Sequence, residues 1–146
     1  MEPPVKIENA DLIVEWFGYW PSFHDSELLS IYMSRSTASG EFRPNMIAKL
    51  YAFEMTSEVT ESKHYKLVKH CVIEFEFNDI DSIELDGFNH QNALNGLCFS
   101  NVDNSSDKAA ISVTCEPAYG VGIDLICSSV RVLSLTPGKP VHDIHA

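Results

Sequence analysis

His24 and Asp25 stand side by side, with Glu27 two residues on, inside the run Trp20-Pro21-Ser22-Phe23-His24-Asp25-Ser26-Glu27. An imidazole beside a carboxylate is an acid–base pair, and Glu27 adds a third titratable group. Catalysis would also need a nucleophile or a metal held against them. If a strand begins here, adjacent side chains leave on opposite faces, so His24 and Asp25 diverge while Asp25 and Glu27 share a face. The structural reading is preferred: Trp20 and Phe23 plug the end of a sheet, and Asp25, His24 or Ser22 bonds to loop backbone.

The other polar residues give weaker leads. His64 and His70 are separated by a Lys-rich stretch, and His90 sits alone in Asn89-His90-Gln91-Asn92. His142 and His145 have a ligand-like i,i+3 spacing but fall in a C-terminal tail and would need partners from elsewhere. The chain has no Gly-x-Ser-x-Gly, no phosphate-cradling glycine loop and no His-Glu-x-x-His. No metal and no cofactor is expected.

Charge is the most informative feature. Between Lys69 and Lys108 there is no Lys or Arg, while Glu74, Glu76, Asp79, Asp81, Glu84, Asp86, Asp103 and Asp107 all fall there. If the strands around Glu74 and Glu84 are paired neighbours, Glu74, Glu76, Glu84 and Asp86 form one exposed acidic patch. Like charges facing each other across strands cost a few tenths of a kcal/mol to about 1 kcal/mol each. A patch kept at that cost suits a basic partner; a merely solvated face is the alternative.

The elements that must position these groups are mostly strands. One short helix is expected first, with Asn9 as cap, Asp11 in the first turn, Leu12/Trp16 and Ile13/Phe17 as i,i+4 pairs, Gly18 as stop and Pro21 preventing resumption. After Asp25 the apolar runs Leu28–Met33, Met46–Met55, Val68–Phe77, Ile83–Leu85, Leu94–Phe99, Ala110–Cys115, Ile123–Cys127 and Val130–Leu135 read as strands. Ile73, Phe75 and Phe77 alternate with Glu74 and Glu76 most cleanly. Ser34–Pro44 reads as a loop, and Asn101–Asp107 and Tyr119–Gly122 read as hairpin connections. The fold class is mostly β (α+β): an antiparallel meander, sandwich or open barrel of seven or eight strands at roughly 10-residue spacing, with a short N-terminal helix.

A chain of 146 residues, 45% hydrophobic and 21% charged, fits one folded domain. Residues 1–136 are expected to form it and 137–146, opening with Pro137-Gly138-Lys139-Pro140, a tail. The net charge of −11 opposes binding to nucleic acid and to anionic membranes and favours a basic protein. Cys71, Cys98, Cys115 and Cys127 lie in apolar runs without a Cys-x-x-Cys pair, which reads as reduced, buried thiols in the cytoplasm. The N-terminus lacks a basic and an apolar signal region, and no apolar run approaches the ~18 residues that span a bilayer.

The Trp20–Glu27 run is similar to a Trp-Pro-Ser-Phe-His-Asp motif that precedes the first strand in the bacterial immunity protein 50 family of polymorphic toxin systems. The stretch from Phe77 to Asn92 also resembles that family's strand–turn pattern, and the likeness extends from the first helix to about Leu135. It implies a mostly-β immunity protein that neutralises a cognate toxin in the cytoplasm, without assigning residues to that role. The expected activity is therefore toxin binding and not catalysis. Glu74, Glu76, Glu84 and Asp86 are the first choice for contact with a basic toxin, and His24, Asp25 and Glu27 the second. The alternatives are a small enzyme or ligand-binding domain at the His24/Asp25/Glu27 corner, and a homodimer built through an exposed strand edge.

Overall fold

The computed structural model describes residues 2–36, 42–102 and 110–141. Its elements are α1 (Asp11–Phe17), β1 (Glu27–Ser36), β2 (Arg43–Val59), β3 (Tyr65–Asp86), β4 (Ala93–Asn101), β5 (Ile111–Tyr119) and β6 (Gly122–Pro137). The strands close into an antiparallel barrel in the order β1-β2-β3-β6-β5-β4. The expected mostly-β fold with one short helix is what forms, but the barrel is closed and has six strands. Two pairs of expected strands are each continuous: Val68–Phe77 with Ile83–Leu85 in β3, and Ile123–Cys127 with Val130–Leu135 in β6.

The polar interruptions that looked like turns are phase changes inside the ladder. In β3 the buried positions run Cys71, Ile73, Phe75, Phe77 and then Ile80; in β6 they run Ile123, Leu125, Cys127 and then Val130 and Val132. Both strands skip at the same level, between the flanking pairs Asn78↔Ser129 and Ile80↔Cys127. Asp79 takes a left-handed φ of 54° there and accepts a hydrogen bond from Ser128 Oγ at 2.9 Å on Oδ2. Arg43 Nη1 donates to its other oxygen at 3.1 Å. The β3–β6 pairing stays in register across this irregularity and shifts just past it, between Ile80 and Ser82, while the side chains beyond it are re-aimed.

The barrel is filled. Leu28, Met46, Leu50, Phe75, Phe77 and Leu125 are among the side chains around its axis, and the void they leave measures about 10 Å³. That is about one water's worth of space, too little for a ligand between these side chains. Helix α1 caps the barrel with Ile13 and Phe17 buried and Leu12 turned outward. Its N-cap is Ala10 rather than Asn9, which has φ 62° and donates from Nδ2 to Val132 O at 3.2 Å. Gly18 is the left-handed C-cap at φ 88°, as its position after the apolar pairs predicts. Lys69 serves the same helix end, donating from Nζ to Phe17 O at 2.8 Å while Trp16 Nε1 donates to Lys69 O at 2.9 Å. A cation there satisfies an orphan carbonyl and opposes the helix dipole.

Of the expected connections, Tyr119–Gly122 joins β5 to β6 with Gly120 at φ 112°. Most of the Asn101–Asp107 connection and the central part of the Ser34–Pro44 loop lie outside the described residues, as do Asp103, Asp107, His142 and His145. No helix among the described residues is long and apolar enough to cross a membrane.

Candidate functional site

The Trp20–Glu27 run forms the seam between β1 and β4. Paired strand residues join these two strands only at Glu27↔Ala93, so the segment before β1 continues the closure with single backbone bonds. Leu97 N donates to Ser22 O at 3.2 Å, Asp25 N to Leu94 O at 2.8 Å, Leu94 N to Ser26 O at 2.9 Å and Leu28 N to Asn92 O at 3.0 Å. Phe23 and Asp25 take left-handed φ values of 63° and 66°, which turn the chain along β4. Trp20 and Phe23 are buried edge-to-face at 5.6 Å, Trp20 meets Phe99 at 6.0 Å and Phe23 meets Phe75 at 5.9 Å.

His24 and Asp25 do converge, contrary to the strand argument, because the strand begins only at Glu27. His24 Nδ1 lies 3.2 Å from Asp25 Oδ2, and the two side chains are 61% and 40% exposed. Neither is required by the turn through its side chain; Ser22 Oγ serves that purpose, accepting from His24 N at 3.3 Å. Glu27 is half-buried, opposite Tyr51. Burial, followed by the Glu27 carboxylate, raises the Tyr51 phenol's pKa. Tyr51 Oη is 2.6 Å from His70 Nδ1, with the rings stacked. The corner is thus an exposed imidazole–carboxylate contact on a wall filled by aromatics.

The four first-choice carboxylates all face outward but do not form one patch. They lie along a single strand rather than on two paired ones, and Glu76 and Glu84 are separated by roughly 25 Å of extended chain. The first two are neutralised by cations from neighbouring strands. Lys49 Nζ is 3.7 Å from Glu74 Oε1, and Arg131 Nε is 3.9 Å from Glu76 Oε1 and 3.2 Å from Glu8 Oε2. Glu74 also borders a groove of about 290 Å³ that includes Lys49 and Lys139. A stretch free of cations in sequence is therefore not free of them in space.

Beyond Asp79, no Lys or Arg among the described residues pairs with the carboxylates of β3. Glu84 and Asp86 are exposed, and the register sets Glu84 opposite Asp124 of β6, also exposed. Thr114 Oγ1 of β5 donates to Asp124 Oδ1 at 3.0 Å, and Glu116 is exposed further along β5. β4, β5 and β6 contribute no Lys or Arg before Arg131. Asp124 was not among the expected site residues, because only the strand register brings it to Glu84. Leu85, Phe88 and Tyr119 are 42%, 49% and 52% exposed at this end, and His90 stacks edge-on to Tyr119 at 5.8 Å.

Cys71, Cys115 and Cys127 are buried free thiols and Cys98 is an exposed one. Burial pushes the first three up to about 12. Among the described residues, no group of three or more His, Cys, Asp or Glu side chains could hold a metal ion.

A family model described as immunity protein 50 matches residues 9–138, which takes in α1, the seam and all six strands. No curated protein and no solved structure matches the chain.

Proposed function

The chain belongs to the immunity protein 50 family, and from that premise we propose that it binds a cognate toxin domain one-to-one in the cytoplasm and covers its active or substrate-binding surface. The observation that carries the surface assignment is the acidic end of the barrel, Glu84 and Asp86 with Asp124 beside them. Carboxylates spaced along a sheet face imitate phosphates, so the partner that fits is a basic cleft of the kind that handles nucleic acid, and its approach is accelerated by the opposite charge. Glu74 and Glu76, already ion-paired, contribute less. His24, Asp25 and Glu27 are the second choice, since their neighbours explain them as a seam. No step of catalysis is proposed: the His24–Asp25 pair stands outside a filled barrel.

The test is to identify a toxin domain encoded next to this gene and co-express it with the chain. The expected result is restored growth and a 1:1 complex that weakens steeply between 50 and 500 mM salt, because exposed charges are screened over about 8 Å at physiological ionic strength. Unrelieved toxicity with no complex would sink the proposal, and a salt-insensitive complex would sink its electrostatic part.

A further inference from the structure

The β2–β3 ladder ends at Met46↔Phe77, whereas β3 continues to Asp86. Pro44 of β2 has no N–H to donate, and Asp79 of β3 takes a left-handed φ at the same level, where its side chain accepts from Arg43 of β2. From Ile80 to Asp86 one side of β3 is laddered to β6; among the described residues no strand pairs with the other. Among the described residues this is an unpaired sheet edge roughly 20–25 Å long. Asp81, Ser82, Glu84, Leu85 and Asp86 along it are all exposed.

Resting on the toxin-binding reading, we infer that this edge receives an extended basic segment of the toxin as an added strand. Main-chain bonds to β3 supply the registration, and a strand's period of two places every second side chain of the segment over the outer face. Lys or Arg at those positions meet Glu84, Asp86 and Asp124. Leu85, Phe88 and Tyr119 offer the adjoining apolar contact that charge alone does not provide. A second copy of the chain is the wrong occupant. Antiparallel self-pairing about this edge would bring Asp81, Glu84 and Asp86 of one copy against the same carboxylates of the other, which like-charge repulsion opposes.

The experiment is amide hydrogen exchange on this chain, free and in complex with the toxin domain that it neutralises in the co-expression test, with affinities for the intact chain and two variants. Binding is expected to protect Ile80–Asp86. Glu84→Lys should raise Kd about tenfold or more, while Glu58→Lys, near the opposite end of the β2–β3 hairpin, leaves it within about twofold. Circular dichroism melts establish that both variants are folded. A complex that protects other segments, or one indifferent to Glu84→Lys, overturns the added-strand inference and leaves the toxin-binding reading standing. Failure to form any complex overturns both. A free chain that sediments as a dimer with Ile80–Asp86 already protected assigns the edge to a second copy and overturns the inference as well.

Discussion

Glu84 of β3 and Asp124 of β6 stand directly opposite each other across an antiparallel ladder, both exposed, with no Lys or Arg on either strand beyond the Asp79 irregularity at that end. Nothing in barrel construction calls for two carboxylates at a facing pair. Elsewhere on β3 the outward carboxylates have cations across the strand, Lys49 for Glu74 and Arg131 for Glu76. The difference separates charges that stabilise the fold from charges available to a partner.

Glu84→Gln is expected to raise stability by a few tenths of a kcal/mol to about 1 kcal/mol, since it removes a like-charge pair without changing shape. Urea titration at low salt measures the gain, which should shrink in 0.5 M NaCl as the repulsion in the parent is screened. A loss of stability would mean that Glu84 has a favourable partner. The same substitution weakens toxin binding, so stability and function move in opposite directions.

The thiols give a pH test. Cys71, Cys115 and Cys127 are held up to about 12 by burial, from an ordinary 9.0, and Tyr19 is raised from 10.0 to about 12 by burial and by its hydrogen bond to Glu54. Well below pH 9 the thiols are protonated in both states and do not alter the slope. Between about 9 and 12 the unfolded chain releases protons that the native chain keeps, so stability falls as pH rises through that window. A thiol reagent at pH 8 should label Cys98 alone in the native protein and all four cysteines after unfolding. Rapid native labelling of Cys115 would contradict the packing.

The alternation of Ile73, Phe75 and Phe77 with Glu74 and Glu76 made the central strand legible, and Gly18 marked the end of α1. The strand count was less legible because Asn78-Asp79 and Ser128-Ser129 are turn-like residues. Here they face each other within a ladder and absorb a phase slip together, a cooperation that neither segment shows alone. The acidic site was half legible for a related reason. Sequence distance kept Glu74 near Glu84 and far from Arg131 and Asp124. Register reverses much of that, giving Glu76 its cation and Glu84 a carboxylate neighbour.

Gly120→Ala should cost about 2–4 kcal/mol, from an overpacked contact added to a left-handed backbone. At φ 112° an added Cβ runs into Asn89 Oδ1. That oxygen cannot easily yield, because it accepts from Gln91 N at 2.9 Å and Asn92 N at 2.8 Å, while Asn92 Oδ1 accepts from Asn89 N at 2.7 Å. Thermal melts give the loss directly. A silent Gly120→Ala would show that the Asn89 turn is not rigid.

The seam separates structure from chemistry at the motif that first suggested catalysis. Trp20→Ala removes a buried indole that touches Phe23 and Phe99 beside a closure with one strand-paired position. It should cost about 3–5 kcal/mol, a large fraction of the 5–15 kcal/mol typical of a domain. The melting temperature should fall by roughly 10–16 °C. His24→Ala removes only an exposed partner of Asp25, worth under about 1 kcal/mol, and should be nearly silent. Asp25→Ala loses the same pair and puts a less tolerant residue at φ 66°, so a decrease of about 1 kcal/mol is expected. Both polar variants should still neutralise the toxin at temperatures where they are folded. If His24→Ala and Asp25→Ala melted like the parent yet failed to neutralise it, the pair would belong to the functional surface and the seam account of this motif would be wrong.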